Sequence, residues 1–364
     1  MHIVLAAGGT AGHIYPALNT AAAICDIAPE TRITVLGTER GLDRELVPRS
    51  GYPLKLIDSV PFPRNINIEA VKFPLRMRRA VRQAKEFFRN DKVDVVIGFG
   101  GYASAPAYLA ARSLGLCTIV HEANSTAGMA NKLGARFTKN IALNYPGVLP
   151  GGRVIGMPLS KQIRDLDRRA LRDSARDHFG LPREGRTLLV FGGSQGAQSI
   201  NTSITQVVED LRRAGINILH ATGHDKANPV VEIESDSRDS AVGRYRSVPF
   251  IDRMDMAYAA ADLSISRAGA MTVAEVASVG IPSIFVPLPI GNGEQERNAA
   301  ALISSGGAIT CSNAEFTPNW IVANVIPLIN DAHKLAEMSH RMRQQSSRDA
   351  AQDLARWALA CDRG

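Results

Sequence analysis

Ile3-Val4-Leu5-Ala6-Ala7-Gly8-Gly9-Thr10-Ala11-Gly12-His13 is the stretch from which the fold can be read. An aliphatic run stops at two glycines, and the helical pattern Pro16-Ala17-Leu18-Asn19-Thr20-Ala21-Ala22 follows at once. A strand fed into a helix through a glycine turn is the opening of a βα unit. Glycines there let the backbone approach a ligand closely, and the free N–H groups of a helix start favour negative charge. The same turn can also serve without a ligand. Its spacing departs from the dinucleotide pattern G-x-G-x-x-G, because Thr10 follows the Gly8-Gly9 pair. His13 closes the loop with an imidazole able to take a proton near neutral pH, and the alternative for it is a capping or merely polar histidine.

Working outward, the same alternation recurs at Ile33-Thr34-Val35-Leu36, Leu54-Lys55-Leu56-Ile57, Val93-Asp94-Val95-Val96-Ile97 and Thr118-Ile119-Val120. A charge-dense segment from Lys161 to Arg186 interrupts it and reads as a linker with one solvated helix. The rhythm restarts at Thr187-Leu188-Leu189-Val190-Phe191 and continues through Ile216 to Leu219, Asp262 to Ser266 and Ser283 to Val286. With 364 residues available, this predicts two α/β domains built on doubly wound parallel sheets, with a boundary near Gly156. Such sheets bind ligands beyond the carboxyl ends of their strands, so two facing domains would place a site in the cleft between them.

Other strand ends carry the remaining chemistry. Gly98-Phe99-Gly100-Gly101-Tyr102-Ala103-Ser104 and His121-Glu122-Ala123-Asn124 close two strands of the first half. Glu122 serves equally as a catalytic or a structural hydrogen-bonding residue. A zinc reading of His121-Glu122 fails because Ser125 stands where H-E-x-x-H needs its second histidine. In the second half, Phe191-Gly192-Gly193-Ser194-Gln195-Gly196-Ala197 suits a phosphate and lacks the Lys-Ser/Thr of a P-loop. Ser266-Arg267-Ala268-Gly269-Ala270-Met271-Thr272-Val273-Ala274-Glu275 is the richest segment: small residues open a helix on which a diphosphate can sit, and Glu275 one turn on can accept both ribose hydroxyls. Asp165-Leu166-Asp167 matches a metal-binding D-x-D but sits in the charged segment, so no metal is expected.

The net charge of +7 favours anionic partners. Aromatics are only 5% of the chain and show no interleaving with arginine that would stack bases, which argues against nucleic acid. Four scattered cysteines read as reduced thiols of a cytosolic protein. Neither a signal peptide nor a transmembrane helix is expected. The stretch 62–89 interleaves Phe62, Phe73, Leu75, Met77, Phe87 and Phe88 with Arg64, Lys72, Arg76, Arg78, Arg79, Arg82, Lys85 and Arg89. It reads either as a peripheral contact with anionic lipid or as a core-packed helix with a basic face.

Taken together, these motifs resemble the MurG family, the glycosyltransferases that add N-acetylglucosamine to undecaprenyl-pyrophosphoryl-N-acetylmuramoyl-pentapeptide, turning lipid I into lipid II. The likeness spans nearly the whole chain. It runs through Gly8 to His13, Gly100-Gly101-Tyr102, His121 to Asn124, Gly192 to Ala197, Phe250-Ile251-Asp252 with Met254, Arg267 to Ala270 with Thr272 and Glu275, and Phe285-Val286-Pro287. The resemblance implies a GT-B architecture. An acceptor- and membrane-facing domain would span 1–156, joined by a C-terminal helix at about 345–364, and a UDP-sugar donor domain would span 157–344. It implies that Ile251 binds uracil through its backbone, that Ser194 and the amides of Ala270, Met271 and Thr272 hold the diphosphate, and that Glu275 takes the ribose and Gln295 the sugar. Thr10, Ala11, Gly12 and Asn124 would complete the donor pocket, with His13 or Glu122 as the base. The implied partners are UDP-N-acetylglucosamine as substrate, lipid I, the cytoplasmic face of the membrane and other cell-wall synthesis proteins, and no cofactor. Ala11, Ala123, Ser160 and Glu294 depart from the family pattern. The donor-contacting arginine of the family falls at Ser160, for which Lys161 or Arg164 is the candidate substitute.

Overall fold

The computed structural model describes residues 1–62, 68–193, 197–223, 242–289, 293–347 and 349–361, with only the backbone of 68–71. The chain divides into two compact units, Met1–Ser160 with Ser347–Gly364, and Lys161–Ser346.

In the first unit β1 (His2–Ala6), β2 (Arg32–Thr38), β3 (Leu54–Ile57), β4 (Val95–Gly98), β5 (Cys117–Glu122), β6 (Ile141–Leu143) and β7 (Arg153–Val154) form one parallel sheet in the order β3-β2-β1-β4-β5-β6-β7. β1 shows why it is central. Ile3 and Leu5 pack into one layer with Ile14, Ala17 and Ala21 of helix Ala11–Ile27, whereas Val4 and Ala6 pack into the other with Ala80, Ala84 and Phe88. A strand covered on both faces needs apolar residues on both, which the sequence supplies from Ile3 to Ala6. The helix Ala350–Leu359 belongs to this unit, because Ala351, Leu354, Ala355 and Ala358 are buried in the layer of helix Ala11–Ile27.

The second unit repeats the plan with β8 (Arg186–Phe191), β9 (Ile216–Ala221), β10 (Tyr245–Val248), β11 (Leu263–Ser266), β12 (Ser283–Phe285) and β13 (Ala308–Thr310). All its pairings are parallel, in the order β10-β9-β8-β11-β12-β13. Both sheets therefore reverse direction beside their first strand, between β1 and β4 and between β8 and β11, and these reversals are where doubly wound sheets take ligands. The doubly wound α/β expectation holds. β6, β7, β10 and β13 escape the sequence reading because two to four residues carry too little periodicity.

Three expectations change. The segment 161–186 does carry a largely exposed helix, but one side of it is built into the second unit. Its helix Arg168–His178 is capped by Asp167, which accepts from the amides of Arg169 and Ala170, and Arg176 is fully buried with Nη2 2.8 Å from Asp262 Oδ2. Asp167 thus has a structural task. Of the apolar residues in 62–89, Phe87 and Phe88 are buried in the core and Phe73 packs against it, its ring 5.3 Å from that of Phe62, so they do not face lipid. Among the side chains helix Ile68–Asn90 exposes are Leu75, Lys72, Arg76, Arg78, Arg79, Arg82, Glu86 and Arg89, of which Arg79 pairs with Asp58 and Arg82 with Glu86. Arg64 lies outside the described residues. Finally, Cys117 and Cys361 form a disulfide, leaving Cys25 and Cys311 as thiols. Among the described residues no helix is long and apolar enough to cross a membrane, and no group of three or more His, Cys, Asp or Glu is placed to hold a metal.

Candidate functional site

The first rim is built at the reversal of the first sheet. Gly9 takes φ +90°, Thr10 follows in an extended conformation, and the Thr10 carbonyl starts the helix by accepting from the amides of His13 and Ile14. No side chain caps this helix. Thr10 instead turns its hydroxyl to His13, Oγ1 lying 3.2 Å from Nδ1. The outer edge of the imidazole crosses Gly100 in the turn after β4, where a Cβ would lie 3.1 Å from both Cδ2 and Nε2 of His13 and 3.5 Å from Asn131 Nδ2. Burial lowers the His13 pKa, and a hydrogen bond with the Gly8 carbonyl partly restores it. The ring is therefore neutral at physiological pH, the state in which it accepts a proton.

Glu122, at the end of β5, is 3% exposed and fully occupied. Oε1 accepts from the amide of Asn124 at 2.9 Å, and Oε2 accepts from the amide of Gly128 and from Asn131 Nδ2, both at 2.9 Å. Asn131 also donates to the His121 carbonyl and accepts from the Tyr108 hydroxyl at 2.7 Å. Burial raises the Glu122 pKa, and these donors pull it back. His13, Gly100, Asn131 and Glu122 thus form one contiguous group, with Asn124 on the loop that Glu122 holds. Asn131 and Tyr108 carry no signal in the sequence, since one lies among small residues of a short helix and the other in an apolar helix. His121 is fully buried, donates to or accepts from its surroundings only through Nε2, 3.2 Å from the Gly156 carbonyl, and burial drives its pKa to about 4.

The second rim lies at the reversal of the second sheet. Helix Ala270–Val279 begins at Gly269 and has no side-chain cap, so the amides of Ala270, Met271 and Thr272 are open. Helices Pro318–Asn330 and Ala332–Gln344, elsewhere in this unit, are capped by Thr317 and Asp331. Glu275 accepts from the Tyr258 hydroxyl at 2.8 Å, and burial raises its pKa to about 7. Tyr258 is a partner the sequence reading missed. Gln295 has its carbonyl oxygen committed to two backbone amides, those of Ala268 at 3.1 Å and Leu288 at 2.9 Å, which leaves its NH2 group to offer a ligand. Arg267 ties the rim together through the Val286 and Pro287 carbonyls and Ser199 Oγ. Ile251 as a whole residue is only 5% exposed. Ser194 lies outside the described residues. Arg164 is engaged with Asp165 through Nε and Nη2, each at 2.7 Å.

Comparison with known proteins gives a consistent result. Residues 3–143 match the glycosyltransferase family 28 N-terminal domain, and residues 187–354 the glycosyltransferase family 28 C-terminal domain. A UDP-N-acetylglucosamine–N-acetylmuramyl-(pentapeptide) pyrophosphoryl-undecaprenol N-acetylglucosamine transferase of Streptomyces avermitilis is 48% identical over 96% of this chain and 95% of its own. The protein of the same name from Nocardia farcinica is 47% identical over 99% and 95%. The crystal structure of Acinetobacter baumannii MurG matches with a TM-score of 0.75 at 29% identity, covering 98% of this chain and 99% of that one. A UDP-GlcNAc 2-epimerase from Neisseria meningitidis has a TM-score of 0.67 at 12% identity over 99% and 100% of the two chains, a likeness of fold alone.

Proposed function

The chain belongs to glycosyltransferase family 28, and within it to the MurG transferases of GT-B fold; from that premise we propose how its two rims divide the labour of moving N-acetylglucosamine from UDP-N-acetylglucosamine to lipid I, giving lipid II. The second unit binds the donor. Open amides of Ala270, Met271 and Thr272 at an uncapped helix start hold the diphosphate. Glu275, oriented by Tyr258, takes the ribose, Ile251 takes the base through its backbone, and the Gln295 NH2 reaches the sugar. The first unit, Met1–Ser160 with Ser347–Gly364, binds the acceptor. Thr10, Ala11, Gly12 and Asn124 contribute further contacts to the donor.

The reaction is an inverting single displacement. His13, neutral and turned over Gly100, takes the proton of the acceptor 4-hydroxyl as that oxygen attacks the anomeric carbon. The leaving diphosphate gathers negative charge at the helix start, where each preorganised donor is worth roughly 3 kcal/mol in known enzymes. Glu122 orients and does not act as base, because its oxygens already serve three donors that shape the loop carrying Asn124. The single observation that carries this reading is the contrast between a rim that ends in an imidazole and a rim that ends in free amides.

Lipid I would be met at a membrane surface on its cytoplasmic side. The exposed Lys72 and Arg78 of helix Ile68–Asn90 supply the attraction, on the order of 1 kcal/mol per cation near anionic lipid. Here charge carries the contact, since the helix aromatics are turned inward. The deciding experiment is incubation of the chain with labelled UDP-N-acetylglucosamine and a lipid I analogue. The disaccharide product is expected, and hydrolysis to free N-acetylglucosamine without transfer would refute the reading.

A further inference from the structure

Behind the first glycine turn lies an acidic residue that the mechanism above does not use. We propose that Asp43 is a positioning residue: its carboxylate holds the Gly8-Gly9 turn in place and thereby aims His13, a role that rests on His13 being the base. Asp43 opens the short helix Asp43–Arg49 and is fully buried. Its Oδ2 accepts from the Gly9 amide at 3.0 Å, while Oδ1 has no hydrogen-bond partner. The turn is held from the other direction too, since the Leu42 amide lies 3.4 Å from the Gly9 carbonyl.

The surroundings are cut to fit this carboxylate. A Cβ on Gly37 would lie 3.0 Å from Oδ1, and one on Gly8 3.3 Å from it. Gly41, with φ +104°, lies so close that a Cβ there would overlap the backbone of Gly9. Burying a carboxylate with one bare oxygen is costly, and an apolar residue would fill the same space without that cost. Burial pushes the Asp43 carboxyl up, and foremost among the groups that pull it back is the Gly9 amide. The backbone of Asp43 itself and that of Thr38 follow Gly9 in this, so the turn takes the first share of the compensation and the start of the Asp43 helix and the end of β2 take the rest.

From Gly9 the path to His13 is short. Gly9 sets its left-handed φ, Thr10 is extended, the Thr10 carbonyl starts the helix, and Thr10 Oγ1 and the Gly8 carbonyl both bear on the imidazole. Gly8 and Gly9 are both among the residues packed against the Asp43 carboxylate. Around His13 stand Thr10, Gly100 and Asn131, and among the described residues no charged side chain contributes to its shift. A relaxed turn would withdraw the Gly8 carbonyl, so the His13 pKa would fall further and the acid limb of kcat would move to lower pH.

The test uses the full chain, with kcat, KM for UDP-N-acetylglucosamine and the His13 imidazole titration followed by NMR in wild type, Asp43→Asn and Asp43→Ala. Asp43→Ala is expected to lower kcat about tenfold or more, leave KM for the donor nearly unchanged and lower the His13 pKa. Asp43→Asn keeps an oxygen for the Gly9 amide, so it should restore both. A folded Asp43→Ala with unmoved His13 and kcat overturns the proposal, and so does an Asp43→Asn as impaired as Asp43→Ala. Wild type gives a measurement free of any folding defect: the Gly9 amide resonance should titrate with a carboxyl midpoint above the ordinary aspartate value and lose that titration in Asp43→Asn. A Gly9 amide indifferent to pH in this range overturns the proposal. If Asp43→Ala moves His13 while kcat stays level, the hold of Asp43 on His13 is supported and it is the base assignment that fails.

Discussion

The turn after β1 and the turn after β11 both carry a parallel strand into a helix that lacks a side-chain cap, each beside the reversal of its sheet but on opposite sides of it, since β1 corresponds to β8 and β11 to β4. They differ in what stands beside them. The first is crowded: Gly101 and Gly41 touch its backbone, Asp43 supports it and the His13 ring lies over Gly100. The second is open, with nothing within 4 Å of where a Gly269 side chain would begin. Burial lowers the pKa of His13 at one and raises that of Glu275 at the other, so at neutral pH one group is a free base and the other is poised between charge states. The backbone device is shared, and in the proposed division of roles the surroundings of each turn suit one to proton transfer and the other to phosphate.

The largest way to break this contrast is His13→Ala. It should lower kcat by about 10²- to 10⁴-fold while leaving the UDP dissociation constant unchanged by calorimetry. Retained turnover would make the first rim a mere binding surface. Glu122→Gln comes next and separates two roles. An amide NH2 would face at least one of three hydrogen-bond donors, so a clamp loses about 1–3 kcal/mol of stability and the melting temperature falls together with activity. A base would lose turnover with the melting temperature intact.

Sequence made the two doubly wound sheets and the glycine turns legible, because a β-branched run followed by glycine leaves few conformational options. It also placed His13 and Glu275 on their rims. It could not tell that Glu122 is saturated, since the donors come from the backbone of Asn124 and Gly128 and from Asn131, whose position depends on tertiary packing. The segment 161–186 is only partly legible for a related reason: its helix is largely exposed, but two of its arginines are not. Its arginines look solvated in composition, yet Arg176 Nε is buried against the Ala260 carbonyl and Arg168 reaches Tyr258 and Gly280, partners distant in sequence. Phe87 and Phe88 show the same limit, because an apolar helix face looks alike whether it meets lipid or a sheet.

Two smaller changes sharpen the contrast by charge and by shape. Because Glu275 titrates near 7, raised by burial, it is mostly protonated at pH 6 and ionised at pH 8. An ionised carboxylate accepts ribose hydroxyls more strongly. Uridine, which has no phosphate to titrate, should therefore bind roughly three- to tenfold more tightly at pH 8 than at pH 6, and Glu275→Gln should flatten the difference. The first rim responds to shape in place of pH. At Gly100, φ is +90° and a Cβ would lie 3.1 Å from the His13 ring, so Gly100→Ala should displace the imidazole and lower kcat about tenfold.

Gly269→Ala is the counterpart with the smallest expected effect. Its φ of −64° and ψ of 145° suit any residue, and its surroundings are empty, so the fold has no reason to resist a methyl group. Alanine in place of glycine before a helix costs at most about 1 kcal/mol, and a thermal melt should scarcely move. The methyl would nevertheless stand beside the open amides of Ala270, Met271 and Thr272. If the diphosphate sits there, KM for UDP-N-acetylglucosamine rises by roughly the factor of ten that about 1.4 kcal/mol of lost contact gives, with kcat nearly level. If KM stays level too, the donor phosphates lie elsewhere and the openness of this turn loses its functional meaning. The two glycine substitutions together separate a glycine kept for its own conformation from one kept for room beside a substrate.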